Sequence, residues 1–225
     1  MPEKPNSAPS PAPSRASARS RLQVDERREQ LLRLGIELFG DRSYDEISVD
    51  EIARAAGVSK GLLYHYFHGK RGYYVAAIRY AADQLVQKTE EAGEQLGAQT
   101  PSLEGLTLGL RVFLDYVERH GNAYSTLLRG GLGTDAEVMA IVEDVRLRFI
   151  AGIVERLGVD PPPPPLRMML RGWIGFVEAV SLDWLDHRDA EVAEVAELLA
   201  RTLAAVLLAQ GVETPLRRDN MSSET

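Results

Sequence analysis

The sequence predicts an all-α protein in which a small N-terminal unit of three helices is joined to a larger helical domain. Apolar residues recur at steps of three and four positions from Asp25 to Ala209, which is the period of an amphipathic helix. Glycines and helix-capping residues interrupt this pattern at intervals that suit helix ends. No stretch shows the sustained two-residue alternation of a half-buried strand. We therefore expect helix packing to form the whole core.

The composition excludes several classes of protein. Of the 225 residues, 44% are hydrophobic, which is enough for a core, and there is no cysteine. The lack of cysteine excludes disulfides, cysteine-based zinc sites and thiol catalysis. The N-terminus has no signal-peptide pattern, and no apolar run reaches the ~18 residues that a membrane span needs. These features predict a cytoplasmic protein with no membrane partner.

The charged residues are unevenly distributed along the chain. The net charge of −7 is the sum of +2 over residues 1–71 and −9 over residues 72–225. The whole-chain value argues against nucleic-acid binding, but the N-terminal part by itself is mildly basic. This asymmetry predicts a local contact with a polyanion in the first third of the chain.

The two chain ends differ from the rest in composition. Residues 1–22 are rich in Pro, Ser, Ala and Arg, which predicts a disordered arm, and the polar residues 213–225 predict a flexible tail. The arm is either a solvated extension or a basic segment that attracts phosphate. Between the ends we expect a first helical unit over residues 23–70 and a larger domain over residues 71–212.

The first helical unit is predicted to contain a helix-turn-helix. One amphipathic helix covers residues 25–40. Ser48 and Glu51 have the spacing of a capping box and begin a second, short helix that ends at Gly57. Ser59 then caps a third helix. Two short helices joined by a tight glycine turn and packed on a longer one are typical of this motif.

The third helix has two chemically different sides. Leu63 and Phe67, four positions apart, belong to the core side. A helix N-terminus attracts phosphate, a lysine reaches a base edge or a phosphate, and tyrosine hydroxyls donate to phosphate oxygens. We therefore expect DNA on the opposite side, which carries Lys60, Gly61, Tyr64 and His65.

Four motifs in this unit are Leu38-Phe39-Gly40, Ser48-Val49-Asp50-Glu51-Ile52-Ala53, Ala56-Gly57-Val58-Ser59-Lys60-Gly61, and Leu63-Tyr64-His65-Tyr66-Phe67 with Lys70. Together they resemble the DNA-binding domain of the TetR family of bacterial transcriptional repressors over residues 25–75. The resemblance implies that the third helix enters the major groove. It also implies base- or phosphate-contacting positions at Ser48, Ser59, Lys60, Gly61, Tyr64, His65, Tyr66 and Lys70.

Two residues depart from the family pattern. Leu62 stands where a small or hydroxylic residue is common, and Asp50 stands where some members place a basic, base-reading residue. A carboxylate at this position accepts a hydrogen bond from a cytosine amine but repels phosphate. The operator sequence therefore does not transfer from any relative.

The larger domain is predicted to be helical throughout. A run of prolines, Pro161–Pro165, reads as a rigid connector between helices. The helices are expected over residues 73–96, 103–120, 122–130, 135–157, about 164–187, and 189–210.

The last two helices are the most apolar part of the chain. Their sequence by itself does not separate core positions from a subunit interface. The resemblance implies a homodimer in which these two helices form a four-helix bundle with the partner subunit. Two recognition helices would then reach the half-sites of a palindromic or near-palindromic double-stranded DNA operator, ~34 Å apart.

Polar and aromatic residues within the larger domain are candidates for a pocket that binds an unknown small-molecule effector. Each by itself is compatible with a core or surface position, but the set fits an apolar cavity with a few orienting polar groups. The candidates are Phe113, Tyr116, His120, Tyr124, Arg129, Trp173, Glu178 and Trp184. No metal site and no cofactor are predicted.

The predicted function is a sequence-specific DNA-binding transcriptional regulator, a repressor that a small molecule releases from its operator. The alternative is a DNA-binding regulator without small-molecule control, governed by a protein partner or acting as an activator. An enzyme is the remote alternative. It would rest on Glu178, Asp183, Asp186 and His187, but these lie on one helix, whereas helical di-metal sites need carboxylates from several. No catalytic triad, phosphate loop or dinucleotide fingerprint is visible, so we expect no catalytic residue.

Overall fold

The chain folds into helices, as the sequence predicts. A computed structural model describes residues 15–94, 102–129, 135–209 and 211. Within these residues there is no strand, and no helix combines the length and apolarity needed to cross a membrane. The helices are α1 Arg15–Asp41, α2 Val49–Ala55, α3 Lys60–Phe67, α4 Lys70–Glu94, α5 Leu103–Arg119, α6 Gly121–Arg129, α7 Ala136–Leu157, α8 Pro164–His187 and α9 Val192–Ala209.

Helix α1 begins well before the predicted start at Asp25. Its first residue is Arg15, so residues 15–22 of the predicted arm are helical. The last proline before this point is Pro13, and the alanines and arginines that follow favour a helix. The remainder of the arm, residues 1–14, and the predicted tail, residues 213–225, lie outside the described residues.

An apolar core forms in the N-terminal unit, where α1, α2 and α3 pack together with the start of α4. The core side chains include Leu31, Ile47, Ile52, Leu63 and Phe67, all nearly inaccessible to solvent. Both predicted short helices begin with the expected serine caps.

Helix α4 joins the N-terminal unit to the larger domain. The Tyr73 hydroxyl is buried and donates a 2.6 Å hydrogen bond to the carbonyl oxygen of Leu31 in α1. At Gly35 the two helices approach so closely that an added Cβ would lie 2.8 Å from the Cβ of Ala77. The start of α4 is therefore fixed to the N-terminal unit by a hydrogen bond and by close backbone packing.

A second apolar core fills the larger domain, between α4, α5, α7, α8 and α9. Helix α8 begins inside the proline run, where Pro164 and Pro165 occupy its first turn. Helix α9 begins at Val192 rather than at residue 189, because Arg188 ends α8 in a left-handed conformation and the chain turns before the next helix. The Trp173 indole donates a 3.1 Å hydrogen bond to the Leu199 carbonyl oxygen, which ties α8 to α9.

In the structure, α8 and α9 each have a buried apolar face and an exposed apolar face, which the sequence does not distinguish. Leu170 and Leu199 are fully buried, whereas Leu198 is 52% exposed and Leu208 is 72% exposed. The exposed face of α8 is also apolar and carries Met168, Gly172, Gly175, Phe176 and Ala179.

Candidate nucleic-acid interface and internal cavity

Helix α3 presents the side that the sequence predicts for DNA. The Ser59 hydroxyl accepts a 3.1 Å hydrogen bond from the Leu62 amide and so caps the helix. Leu63 and Phe67 point into the core. Tyr66 is half-buried against the same core. The exposed positions are Lys60, Gly61, Tyr64 and His65.

Gly61 is not required by internal packing. A Cβ added there would meet nothing closer than the Ser59 hydroxyl oxygen, at 3.8 Å. Glycine in a helix interior costs roughly 0.5–1 kcal/mol relative to alanine, and in the first turn, where Gly61 lies, it costs at most this amount. The residue is therefore tolerated at a cost to stability, which points to a requirement outside the fold, such as close approach of another molecule.

Lys60 is paired with an acidic neighbour. Its ammonium group forms an ion pair with the Asp50 carboxylate in the first turn of α2. Both side chains are more than half exposed. Asp50, which departs from the family pattern, is thus paired with Lys60, the first residue of α3. This helix is the predicted DNA-recognition helix.

Ser48 serves the capping box at the start of α2. Its amide donates to a Glu51 carboxylate oxygen at 2.8 Å, and its hydroxyl accepts from the Glu51 amide at 3.2 Å. The Arg42 guanidinium lies 3.2 Å from the other Glu51 oxygen. These hydrogen bonds, with the Ser48 amide the largest contributor, lower the pKa of Glu51 to about 2.

The junction between α3 and α4 carries two basic residues with different partners. The Lys70 ammonium lies 4.2 Å from the centre of the Tyr44 ring, a cation–π contact at the first residue of α4. Arg71 donates to both carboxylate oxygens of Asp135, at 2.8 and 2.9 Å, and its guanidinium lies 3.2 Å from Glu137. The Arg71 hydrogen bonds lower the pKa of Asp135, which also caps α7. The junction is therefore held to α7 by a bidentate ion pair.

A large internal cavity of about 880 Å³ runs through the molecule. Its wall is formed mainly by α4, α5, α6, α7 and α8, and it extends to Phe39 and Tyr44 in the N-terminal unit. Six of the eight predicted pocket residues line it: Phe113, Tyr116, His120, Tyr124, Trp173 and Glu178. The volume is that of a cavity for a small organic molecule.

The other two predicted pocket residues lie elsewhere. Arg129, at the end of α6, is exposed and forms an ion pair with Asp186 of α8. Trp184 is buried beyond the cavity wall, where its indole donates a 2.8 Å hydrogen bond to the Ala190 carbonyl oxygen. The sequence identified both as polar or aromatic groups of the helical body, but it did not give the rotation of their helices about the cavity.

A mostly buried ion pair is the main polar feature of the cavity wall. Arg146 of α7 donates to both Glu178 carboxylate oxygens of α8, at 2.7 and 2.9 Å. Its remaining terminal nitrogen donates to Glu143 at 3.3 Å, and Arg171 donates to the same Glu143 oxygen at 2.6 Å. Hydrogen bonds from Arg171 and then Arg146 lower the pKa of Glu143. Two arginines and two glutamates thus form a closed, charge-balanced network.

Arg146 was not among the predicted pocket residues. A signal for it exists in the sequence, since Arg146 falls on the same face of its helix as Val142 and Phe149, which also line the cavity. A charge within an apolar stripe indicates a buried, paired group.

Two tyrosines add hydroxyl groups to the cavity wall. Burial raises the pKa of Tyr116 to about 12, and burial also raises the pKa of Tyr124. The buried Tyr124 hydroxyl lies near Ser181, Glu178 and Arg146, but makes no hydrogen bond of acceptable geometry with any described residue. Both phenols stay protonated at neutral pH.

The carboxylates considered for an enzyme do not converge on a site. Asp183, Asp186 and His187 are exposed at the C-terminal end of α8. Within the described ranges there is no group of three side chains able to hold a metal ion.

Comparison with known proteins places both parts of the chain in one family. The family described as "Bacterial regulatory proteins, tetR family" matches residues 31–77. The family described as "Tetracyclin repressor-like, C-terminal domain" matches residues 103–206. The first match covers the helix-turn-helix and the second covers α5 to most of α9.

Individual relatives agree with these matches. The HTH-type transcriptional activator FasR of Mycolicibacterium smegmatis is 36% identical over 124 residues, which are 55% of this chain and 55% of that protein. The transcriptional regulator AcuR of Cereibacter sphaeroides is 34% identical over 127 residues, or 56% of this chain and 55% of that protein. The chain thus spans about half the length of the curated relatives it matches.

A solved structure extends the similarity over most of the fold. The crystal structure of a TetR-family transcriptional regulator from Streptomyces coelicolor is 37% identical to this chain and superposes with a TM-score of 0.74. The match covers 83% of this chain and 82% of that one. The chain therefore belongs to the TetR family of bacterial regulatory proteins.

Proposed function

We propose that the protein is a sequence-specific DNA-binding transcriptional regulator of the bacterial cytoplasm, a repressor that a small molecule in the internal cavity releases from DNA. The observation that carries the proposal is the exposed face of α3. Its Lys60, Tyr64 and His65 stand at the surface of a helix-turn-helix, while its apolar side chains form the core. The net charge of +2 over residues 1–71 supports DNA contact there.

We propose a homodimer as the DNA-binding form. The exposed faces of α8 and α9 are apolar, with Met168, Phe176, Leu198 and Leu208 accessible to solvent. Gly172 and Gly175 on α8 have open space around them, which allows another helix to approach closely. Dimerisation through these two helices would present two copies of α3 to a palindromic or near-palindromic operator.

Coupling between cavity and DNA is proposed to pass through α4. This helix begins with Lys70 beside the reading helix and lines the cavity from Tyr74 to Gly93. The Arg71–Asp135 pair also links the junction to α7, another cavity wall. A ligand that fits better when α4 is tilted would change the separation of the paired reading helices. Typical couplings of this kind are ~1–3 kcal/mol.

The first experiment identifies the DNA. Duplexes that the purified protein retains from a random pool are sequenced, and affinity for the selected site is measured by gel shift at fixed salt. We expect a two-fold symmetric site. Retention of no preferred sequence would contradict sequence-specific binding. Transcription of a reporter behind the selected site then gives the sign of regulation, since the M. smegmatis relative is named an activator.

The second experiment tests the dimer with neighbouring leucines on opposite sides of α9. Leu198→Glu should yield folded monomer with weakened operator binding, because Leu198 is exposed. Leu199→Glu should unfold the protein, because Leu199 is fully buried. A Leu198→Glu variant that sediments as a dimer at micromolar concentration would contradict the interface.

The third experiment tests ligand control. A compound present at 100 times its dissociation constant should stabilise the protein by ~2.7 kcal/mol in a thermal-shift screen. Linkage requires that operator DNA weakens ligand binding by the same factor by which ligand weakens DNA binding. Equal ligand affinity with and without operator would mean that ligand binding in the cavity is not coupled to DNA binding by α3.

A further inference from the structure

The arginines that line the cavity already have acidic partners, with the exception of Arg156 at its rim. Arg42 pairs with Glu51, and Arg148 pairs with Asp83 and Asp144. Arg156 lines the cavity at the end of α7, is exposed, and forms no ion pair within the described parts of the chain. Of the cavity's ion pairs, Arg146–Glu178 is the most deeply buried, with side chains 20% and 22% exposed.

The Arg146–Glu178 pair offers no free charge to a ligand. All three guanidinium nitrogens of Arg146 donate to carboxylates, two of them to Glu178 and one to Glu143. Glu178 retains acceptor capacity, because each of its oxygens accepts one of these hydrogen bonds. Beside Arg146, an incoming carboxylate would lose its hydration, meet Glu178 as a like charge and find no unpaired cation. An uncharged polar group loses less hydration and is not repelled by the Glu178 charge.

We propose that the effector carries an uncharged hydrogen-bonding group, such as a hydroxyl or carbonyl, at the inner end of an apolar body, and that Glu178 excludes carboxylates by neutralising Arg146. A ligand hydroxyl donates to a Glu178 oxygen, and a ligand carbonyl accepts from one of the two Arg146 N–H groups that donate to neither glutamate. This inference rests on the proposed ligand control of the protein. Glu178 is thereby a residue that sets ligand specificity.

Probes of equal chain length and different head group test the proposal. Binding of decanoate, 1-decanol and 2-decanone to the full chain is measured by calorimetry at pH 8, where the carboxyl group is ionised. The alcohol or the ketone should bind roughly tenfold or more tightly than decanoate. Decanoate that binds as tightly as both neutral probes would overturn the proposal.

Three variants distinguish charge from shape. Glu178→Gln keeps the side-chain volume but leaves Arg146 with excess positive charge, so the preference should shift towards decanoate by about tenfold. Glu91→Gln is the matched control, because Glu91 is an exposed carboxylate of α4 that does not line the cavity, and the head-group preference of this variant should equal that of the unmodified protein. The double variant Arg146→Gln, Glu178→Gln is neutral again and should restore the preference for uncharged probes.

Other outcomes separate the competing explanations. If Glu178→Gln leaves the selectivity unchanged while its melting curve shows a folded protein, the proposal is wrong. If decanoate binds tightly and Arg156→Gln abolishes this binding, the head group is recognised at the rim instead. If no probe binds and a wide set of apolar compounds leaves the melting temperature unchanged, ligand control fails together with this inference, whereas DNA binding stands.

Discussion

Two ion pairs, one at each functional end of the molecule, differ in their surroundings. Lys60–Asp50 lies on the predicted DNA face with side chains 61% and 53% exposed, and Arg146–Glu178 lies in the cavity wall with side chains 20% and 22% exposed. An exposed pair contributes about 0–1 kcal/mol and exchanges readily with solvent ions. Removing one partner of a buried pair costs several kcal/mol, because the other charge is left without compensation. On the predicted DNA face, the Lys60 ammonium can therefore exchange Asp50 for another anion at little cost. In the cavity wall, the Arg146 guanidinium cannot leave Glu178 without a large loss of stability.

The difference matches what each region is proposed to bind. A phosphate backbone is a dense row of negative charges that competes with Asp50 for Lys60. The cavity is apolar apart from a few groups, so a charge buried in its wall, such as that of Arg146, must be balanced when no ligand is bound. We therefore expect mutations of the two pairs to affect different properties: stability and ligand choice for the cavity, and DNA affinity for the exposed pair.

The largest effect is expected from breaking the buried pair. Arg146→Ala leaves Glu178 mostly buried without its cation and should lower the free energy of unfolding by about 2–4 kcal/mol. Urea denaturation measures the change. Arg171→Ala is the control, since Arg171 is half exposed and its loss should cost less than about 1 kcal/mol. Equal losses in both variants would show that burial does not distinguish the two arginines.

The second largest effect is expected from the loss of a DNA contact. Lys60→Ala and Tyr64→Phe should each weaken binding to the selected operator by ~1–3 kcal/mol, provided that each removes a base or phosphate contact. Their melting temperatures should stay unchanged because both side chains are exposed. Lys88→Ala, on the exposed side of α4, controls for the loss of one positive charge. Unchanged operator affinity in both α3 variants would contradict the assigned face.

Gly61 should separate stability from DNA binding in a single variant. Gly61→Ala adds a Cβ to open space in the first turn of α3, which should raise the free energy of unfolding by at most about 1 kcal/mol. If the glycine serves close approach of DNA, the same variant binds the operator more weakly. A variant that is both more stable and fully active in gel shift would show that Gly61 has no role at the DNA.

The capping box gives the N-terminal unit a defined sensitivity to acid. Because the folded-state pKa of Glu51 is lowered to about 2, its contribution to stability is full above its unfolded value of 4.5 and is lost as the pH falls towards 2. Glu51→Gln should therefore be less stable than the unmodified protein at neutral pH and show a smaller loss between pH 4.5 and 2. Denaturant titrations at several pH values measure this. Parallel pH profiles would contradict the assigned role of Glu51.

The smallest change in stability is expected at the exposed pair. Asp50→Asn should alter the free energy of unfolding by no more than about 0.5 kcal/mol, yet free Lys60 and remove a charge that repels phosphate. Binding to random-sequence duplex should tighten more than binding to the selected operator, so that specificity falls. Asp45→Asn, another exposed carboxylate of the same unit, is the control. Identical effects at both positions would assign the change to net charge and not to Lys60.

The helical fold and the local features of the N-terminal helix-turn-helix unit could be predicted from the sequence. The capping box at Ser48 and Glu51, the cap at Ser59 and the two sides of α3 all depend on residues a few positions apart, whose geometry a helix dictates. Six of the eight predicted pocket residues line the cavity, whereas Trp184, also an aromatic group buried in the helical body, packs outside it.

Which helix faces pack against each other could be seen only in the folded protein. Periodicity defines an apolar stripe on α9 but does not say that Leu199 packs on the core while Leu198 stays exposed. The sequence pattern does not show that Arg129 and Trp184 lie outside the cavity. It also does not show that Arg146 pairs with Glu178 or that Asp50 pairs with Lys60. These contacts join residues on different helices, and their existence depends on how each helix is rotated and how far it lies from its neighbours, which a one-dimensional pattern does not contain.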